Sequence, residues 1–111
     1  MAGAPNLGEF EQMVLLAILR LNGEAYGVSI RAEISKRTGR DIAPGALYTT
    51  LERLGAKGLV KSRVGDPTPE RGGRAKRYYT VSGVGVKAIA RAERAFRRLL
   101  DGLEIPGSAY V

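Results

Sequence analysis

The chain has 111 residues, 44% of them apolar and 26% charged, enough for one domain with one core and too little for two. It contains no histidine and no cysteine, which excludes imidazole general bases, thiolate nucleophiles, disulfides and zinc sites of the His/Cys kind. Eighteen Lys and Arg against eleven Asp and Glu leave a formal net charge of +7.

That charge is unevenly placed. Met1–Thr38 carries four bases and four acids, Gly39–Val81 nine and four, and Ser82–Val111 five and three. An excess concentrated in the middle block points to a polyanionic partner, because clustered Lys and Arg gain free energy by displacing counterions from phosphates. The longest uninterrupted apolar run, Met13–Leu19, is seven residues, against about 20 for a membrane-spanning helix. Met1–Asn6 lacks the basic and apolar regions of a secretory leader, so the expectation is a cytoplasmic protein with no membrane partner.

Along the chain, Leu7, Phe10, Val14, Ile18 and Leu21 follow helical spacing and predict a first helix over about Gly8–Asn22. Its additional apolar residues, Met13, Leu16, Ala17 and Leu19, exceed one stripe and suggest a second neighbour, supplied by another copy of the chain. Tyr26, Val28, Ile30, Ala32, Ile34 and Thr38 predict a second helix that Gly39 ends. Pro44 suits the first turn of a third, in which Leu47, Leu51 and Leu54 recur until Gly58. The period then changes to two over Val60–Val64 and again over Ala75–Val81, with glycines and prolines between, which reads as a β-hairpin with a long basic tip. Ser82 is a good N-cap for a last helix in which Ile89, Ala92, Phe96, Leu99 and Leu103 step by three and four, and Pro106–Gly107 releases a tail. Gly83–Val84–Gly85 lacks the rest of a phosphate-binding loop and is read as relaxing that helix's first turn.

The expected fold is therefore mainly α with a small β-hairpin, a winged helix-turn-helix in the order ααα-ββ-α. In that pattern the third helix enters the major groove and the hairpin follows the DNA backbone or minor groove. With its leucines inward, the third helix turns Gly45, Ala46, Tyr48, Thr49, Glu52 and Arg53 outward. Tyr48, Thr49 and Arg53 can donate hydrogen bonds to DNA, and Gly45 allows the helix start to approach a phosphate. In the hairpin, Arg71, Arg74, Lys76 and Arg77 surround Gly72 and Gly73, a composition that neutralises phosphates while the backbone follows them.

These residues resemble the PadR-like transcriptional regulators. The resemblance rests on Tyr26–Gly27, on Pro44–Gly45–Ala46–Leu47–Tyr48 followed by Leu51 and Arg53–Leu54, on Gly58–Leu59, and on Tyr78–Tyr79 before Gly85. It extends over about Leu7–Phe96 and departs from the family pattern at Val28, Thr49 and Ser82. It implies a winged-helix dimer acting mostly as a repressor, with Pro44, Gly45, Tyr48, Thr49, Arg71, Gly73, Arg74 and Lys76 against DNA. It further implies the short subfamily, with residues 1–81 as the DNA-binding unit, 82–105 as a C-terminal dimerisation helix and 106–111 as a tail.

The apolar stripe on the last helix is too short to form a stable coiled coil alone. It is expected to pack with the partner's first helix, giving a homodimer interface of Phe10, Val14, Ile89, Ala92, Phe96, Leu99 and Leu103. Two third helices about 34 Å apart then predict a pseudo-palindromic operator in double-stranded DNA. A small aromatic or amphipathic effector between the C-terminal helices would meet Phe10 and Phe96, an expectation the resemblance supplies. No cofactor, metal or catalytic residue is expected, since no motif pairs two carboxylates in a cleft. The competing reading is a winged-helix module for protein contact without specific DNA binding.

Overall fold

The computed structural model describes residues 7–66 and 75–107. Three helices come first: α1 (Glu9–Leu21), α2 (Gly27–Thr38) and α3 (Pro44–Ala56). They are followed by strands β1 (Val60–Val64) and β2 (Arg77–Val81) and by α4 (Gly83–Leu100). This is the expected winged helix-turn-helix, mainly α with one antiparallel hairpin.

Local chemistry sets the helix ends. Glu9 and Glu11 place negative charge at the start of α1, and the Glu11 carboxylate accepts the Gly8 N–H at 2.9 Å. Asn22, left-handed at φ 43°, closes the helix. At the start of α2 the Ser29 hydroxyl accepts the Tyr26 N–H at 2.9 Å, and left-handed Gly39 ends it. Pro44 opens α3, where its missing N–H costs nothing. Ala43 supplies no side-chain cap there, but Arg31 braces the incoming loop by donating from Nε to the Ile42 carbonyl at 2.7 Å.

The hairpin pairs Val60 with Val81, Ser62 with Tyr79 and Val64 with Arg77. The Gly65 N–H donates to the Lys76 carbonyl at 2.7 Å and carries the ladder one pair further. That register makes Ser62 and Tyr79 a non-hydrogen-bonded pair, so the Tyr79 N–H points away from β1. It donates instead to the Ala25 carbonyl in the α1–α2 loop at 2.8 Å, tying the hairpin to the helices.

One core serves all six elements. It contains Val14, Leu15 and Ile18 of α1, Ile30 and Ile34 of α2, Leu47, Leu51 and Leu54 of α3, Leu59, Val60 and Tyr79 of the hairpin region, and Ala88 and Ile89 of α4. The Ser82 hydroxyl caps α4 by accepting the Gly85 N–H at 3.0 Å, and donates to the Gly58 carbonyl at 2.6 Å. Gly85 is buried against the Leu59 carbonyl and the Val81 side chain, so it serves close packing, whereas Gly83 has open space around it.

Two expectations need correction. α2, α3, β2 and α4 all pack on α1, and Leu16 and Leu19 stay exposed on its outer side. Val14, 0% exposed, and Ile89, 5% exposed, are therefore taken up by their own core and have no surface to offer a partner. The last helix stops at Leu100 with a turn at Asp101–Gly102, Gly102 adopting φ 74°, so Leu103 lies beyond the helix and off its stripe. Ala88 and Ile89, in the first half of α4, join the core built by the residues before Ser82. Among the described residues no helix is long and apolar enough to cross a membrane.

Candidate nucleic-acid interface

The outer face of α3 is a consequence of its inner one. Leu47, Thr50, Leu51 and Leu54 are buried, and this leaves Pro44, Gly45, Tyr48, Thr49, Glu52 and Arg53 exposed together along one side. Tyr48 is 51% exposed, yet the end of its ring is not free to wander. Its hydroxyl lies over the Cα of Gly27, the first residue of α2, in the place a Cβ would occupy. The absence of a side chain at Gly27 thus seats the tyrosine across the helix-turn-helix and aims its exposed edge outward.

The hairpin is held at its loop end by aromatic rings. Tyr26 and Tyr78 meet edge to face, with centroids 5.7 Å apart and planes at 69°. The Arg63 guanidinium lies 4.7 Å from the Tyr78 ring centre, and the Lys76 ammonium 4.2 Å from that of Tyr26. Gly65 completes the arrangement, since a Cβ there would run into the Tyr78 ring. Two cations are thereby fixed at the loop end of the strands before any ligand arrives.

Between α3 and the hairpin runs an open groove of about 380 Å³, lined on the helix side by Tyr48, Leu51, Glu52 and Gly55 and on the strand side by Val60, Ser62, Arg77 and Tyr79. Arg77 donates to the Ser62 Oγ across the hairpin at 3.1 Å. Burial pushes the Tyr79 phenol above its ordinary value, against the lowering effect of Arg77, so it remains protonated at any ordinary pH.

Charge pairs behind the face hold its framework. Lys57, after α3, donates to the buried Glu11 of α1 at 2.8 Å. Burial works against the Glu11 carboxylate, but the Lys57 hydrogen bond, the Gly8 amide and the charges of Lys57 and Arg53 together keep its pKa below the usual glutamate range. Glu33 on α2 is likewise held low, chiefly by Arg37 at 2.7 Å, with Arg20 of α1 at 3.2 Å.

The structure brings together the expected α3 residues Pro44, Gly45, Tyr48, Thr49 and Arg53. Lys76 sits at the loop end of the hairpin on Tyr26, and Arg71, Gly73 and Arg74 lie outside the described residues. Sequence reasoning left out Ser62 and Tyr79 as groove-lining residues and gave Arg77 only as one of the four bases of the hairpin. Their signal was present in the two-residue alternation, which puts all three on the face of Val60. Phe10 is half-buried against the core on α1, Ala92 is half-buried, and Phe96 and Leu99 of α4 are 58% and 77% exposed. No group of three acidic, His or Cys side chains that could hold a metal ion occurs among the described residues.

The profile of the transcriptional regulator PadR-like family matches residues 15–91. The transcriptional regulator Rv3488 of Mycobacterium tuberculosis is 39% identical over 80 residues, which make up 70% of this chain and 68% of that one. Among solved structures, a PadR-like transcriptional regulator from Bacillus cereus superposes with a TM-score of 0.69 at 16% identity, covering 84% of this chain and 85% of the other. A PadR family transcription regulator from Clostridium difficile gives 0.65 at 20% identity, covering 84% and 96%. These relatives are regulators and not enzymes, and the family match over residues 15–91 includes α3 and both strands of the hairpin. The chain belongs to the PadR-like family of transcriptional regulators and is a winged-helix DNA-binding regulator.

Proposed function

We propose that this regulator is a homodimeric repressor that occludes a promoter by binding a pseudo-palindromic operator. The observation that carries the dimer is the apolar end of α4, where Phe96, Leu99 and Leu100 stay exposed, with Leu103 exposed just beyond it, on a chain whose core is already complete. Clustered exposed side chains of this size mark an association surface. A second copy covering them forms a two-fold dimer whose α3 helices stand about 34 Å apart, one turn of DNA. Pro44, Gly45, Tyr48, Thr49 and Arg53 then face the major groove, and Lys76, with Arg71, Gly73 and Arg74 from the sequence, follows the backbone. A small aromatic or amphipathic effector lodged between the α4 helices against Phe96 shifts the two reading heads off that spacing and releases the promoter. The compartment is the cytoplasm.

Selection of duplexes from a random library, with sedimentation of the free protein, tests this reading. The expected result is a sedimenting dimer and an enriched palindrome with half-sites about one turn apart. A monomer that enriches a lone half-site overturns the dimer. A promoter reporter that rises when the protein is expressed overturns repression.

A further inference from the structure

The groove between α3 and the hairpin holds two charges of opposite sign that form no ion pair among the described residues. Glu52 stands exposed on the helix wall one turn after Tyr48, and no described Lys or Arg pairs with it. Arg77 stands on the strand wall, where its guanidinium is steadied by Ser62 and meets no described carboxylate. A carboxylate on a face that approaches DNA repels every nearby phosphate, so it weakens binding to all sequences alike unless the DNA donates a hydrogen bond to it. In the major groove the donors are the exocyclic amines of cytosine and adenine. A carboxylate has acceptors only, which matches the cytosine amine, whereas adenine sets its own acceptor N7 beside its amine and repels the second oxygen.

We infer that Glu52 reads a cytosine in the major groove while Arg77, steadied by Ser62, takes a phosphate of the strand that passes between α3 and the hairpin. The inference rests on the proposed operator-reading function and assigns it two further residues, one for specificity and one for affinity. The phenol groups of Tyr48 and Tyr79, on the same walls, supply neutral donors toward that phosphate. Glu52 sets a penalty on wrong bases, and Arg77 offsets the repulsion for every sequence.

The test selects duplexes from a random library with the wild-type protein and with Glu52→Ala, Glu52→Gln and Arg77→Gln, after circular dichroism confirms that each variant is folded. The expected wild-type motif fixes one cytosine per half-site. Glu52→Ala lowers that preference by about tenfold and leaves the other positions unchanged. Glu52→Gln moves the preference toward adenine, whose amine and N7 an amide can engage together. Arg77→Gln keeps the motif and reduces the salt slope of binding by about one. An unchanged motif in both Glu52 variants, or a uniform gain in affinity with no change in preference, overturns the role of Glu52 while a wild-type motif still upholds operator reading. An unchanged salt slope removes Arg77 from the phosphate. A wild-type protein that enriches no motif overturns both readings.

Discussion

The hydroxyl of Tyr48 occupies the space over Gly27 that a side chain would need. Gly27 begins α2 and Tyr48 lies in the second turn of α3, so this one contact sets both the angle between the helices and the pose of an exposed ring. Gly27→Ala adds a methyl group that the ring end must vacate, while gaining helix propensity of at most about 1 kcal/mol. The expected outcome is a stability change under about 1 kcal/mol with a clear loss of DNA affinity. In a double-mutant cycle with Tyr48→Leu the two affinity losses do not add, because each removes the same pose. Additive losses in a binding titration would disprove the coupling.

Gly85 answers differently, because backbone and not a flexible ring stands against it. A Cβ at this position meets the Leu59 carbonyl in a buried seam between α4 and the start of the hairpin. Gly85→Ala is expected to cost about 3 kcal/mol in urea denaturation. Gly83→Ala, two residues earlier in open space, is expected to be neutral or slightly stabilising.

The Glu11–Lys57 pair makes stability depend on acidity. Since the folded-state pKa of Glu11 is lowered, its contribution is complete above the ordinary glutamate value of about 4.3 and is lost as pH falls through the folded value. Glu11→Gln is expected to lower stability by about 1 kcal/mol at pH 7. The wild-type advantage should vanish in acid, and thermal melts across pH 3 to 7 check both the sign and the window.

Phe96 is exposed on α4 and absent from the core, so Phe96→Asp is expected to leave the monomer's melting within about 0.5 kcal/mol of wild type. The same substitution places a charge in the proposed seam and should raise the dimer dissociation constant at least about thirtyfold. Sedimentation across a concentration series separates the two effects, and an unchanged dissociation constant removes Phe96 from the interface.

What could be read from sequence divides along the range of the interaction. Pro44, Gly39 and Ser82 announce helix boundaries because their effects are local, and the leucine spacing of α3 fixes which side faces out. The reasons for Gly27 and Gly85 are tertiary, each set by a group distant in sequence, so residue type gave only their identity. Val14 and Ile89 carried the right spacing for a partner helix, but spacing cannot tell which neighbour covers a stripe. Leu103 kept the period past the end of α4, since periodicity does not register the left-handed turn at Gly102. The edge-to-face pair of Tyr26 and Tyr78 joins residues 52 positions apart, beyond any local pattern.

The bond from the Tyr79 amide to the Ala25 carbonyl covers the outer edge of β2 at its centre, whereas β1 pairs with no second strand among the described residues. Lys61 and Arg63 are exposed along that strand, and like charges on an unpaired edge deter another chain from adding to it. Those two side chains thus protect the strand while adding to the basic middle block of the sequence. Stripping those charges to weaken DNA binding would also open a sticky strand, so loss of binding in such a variant has to be separated from self-association.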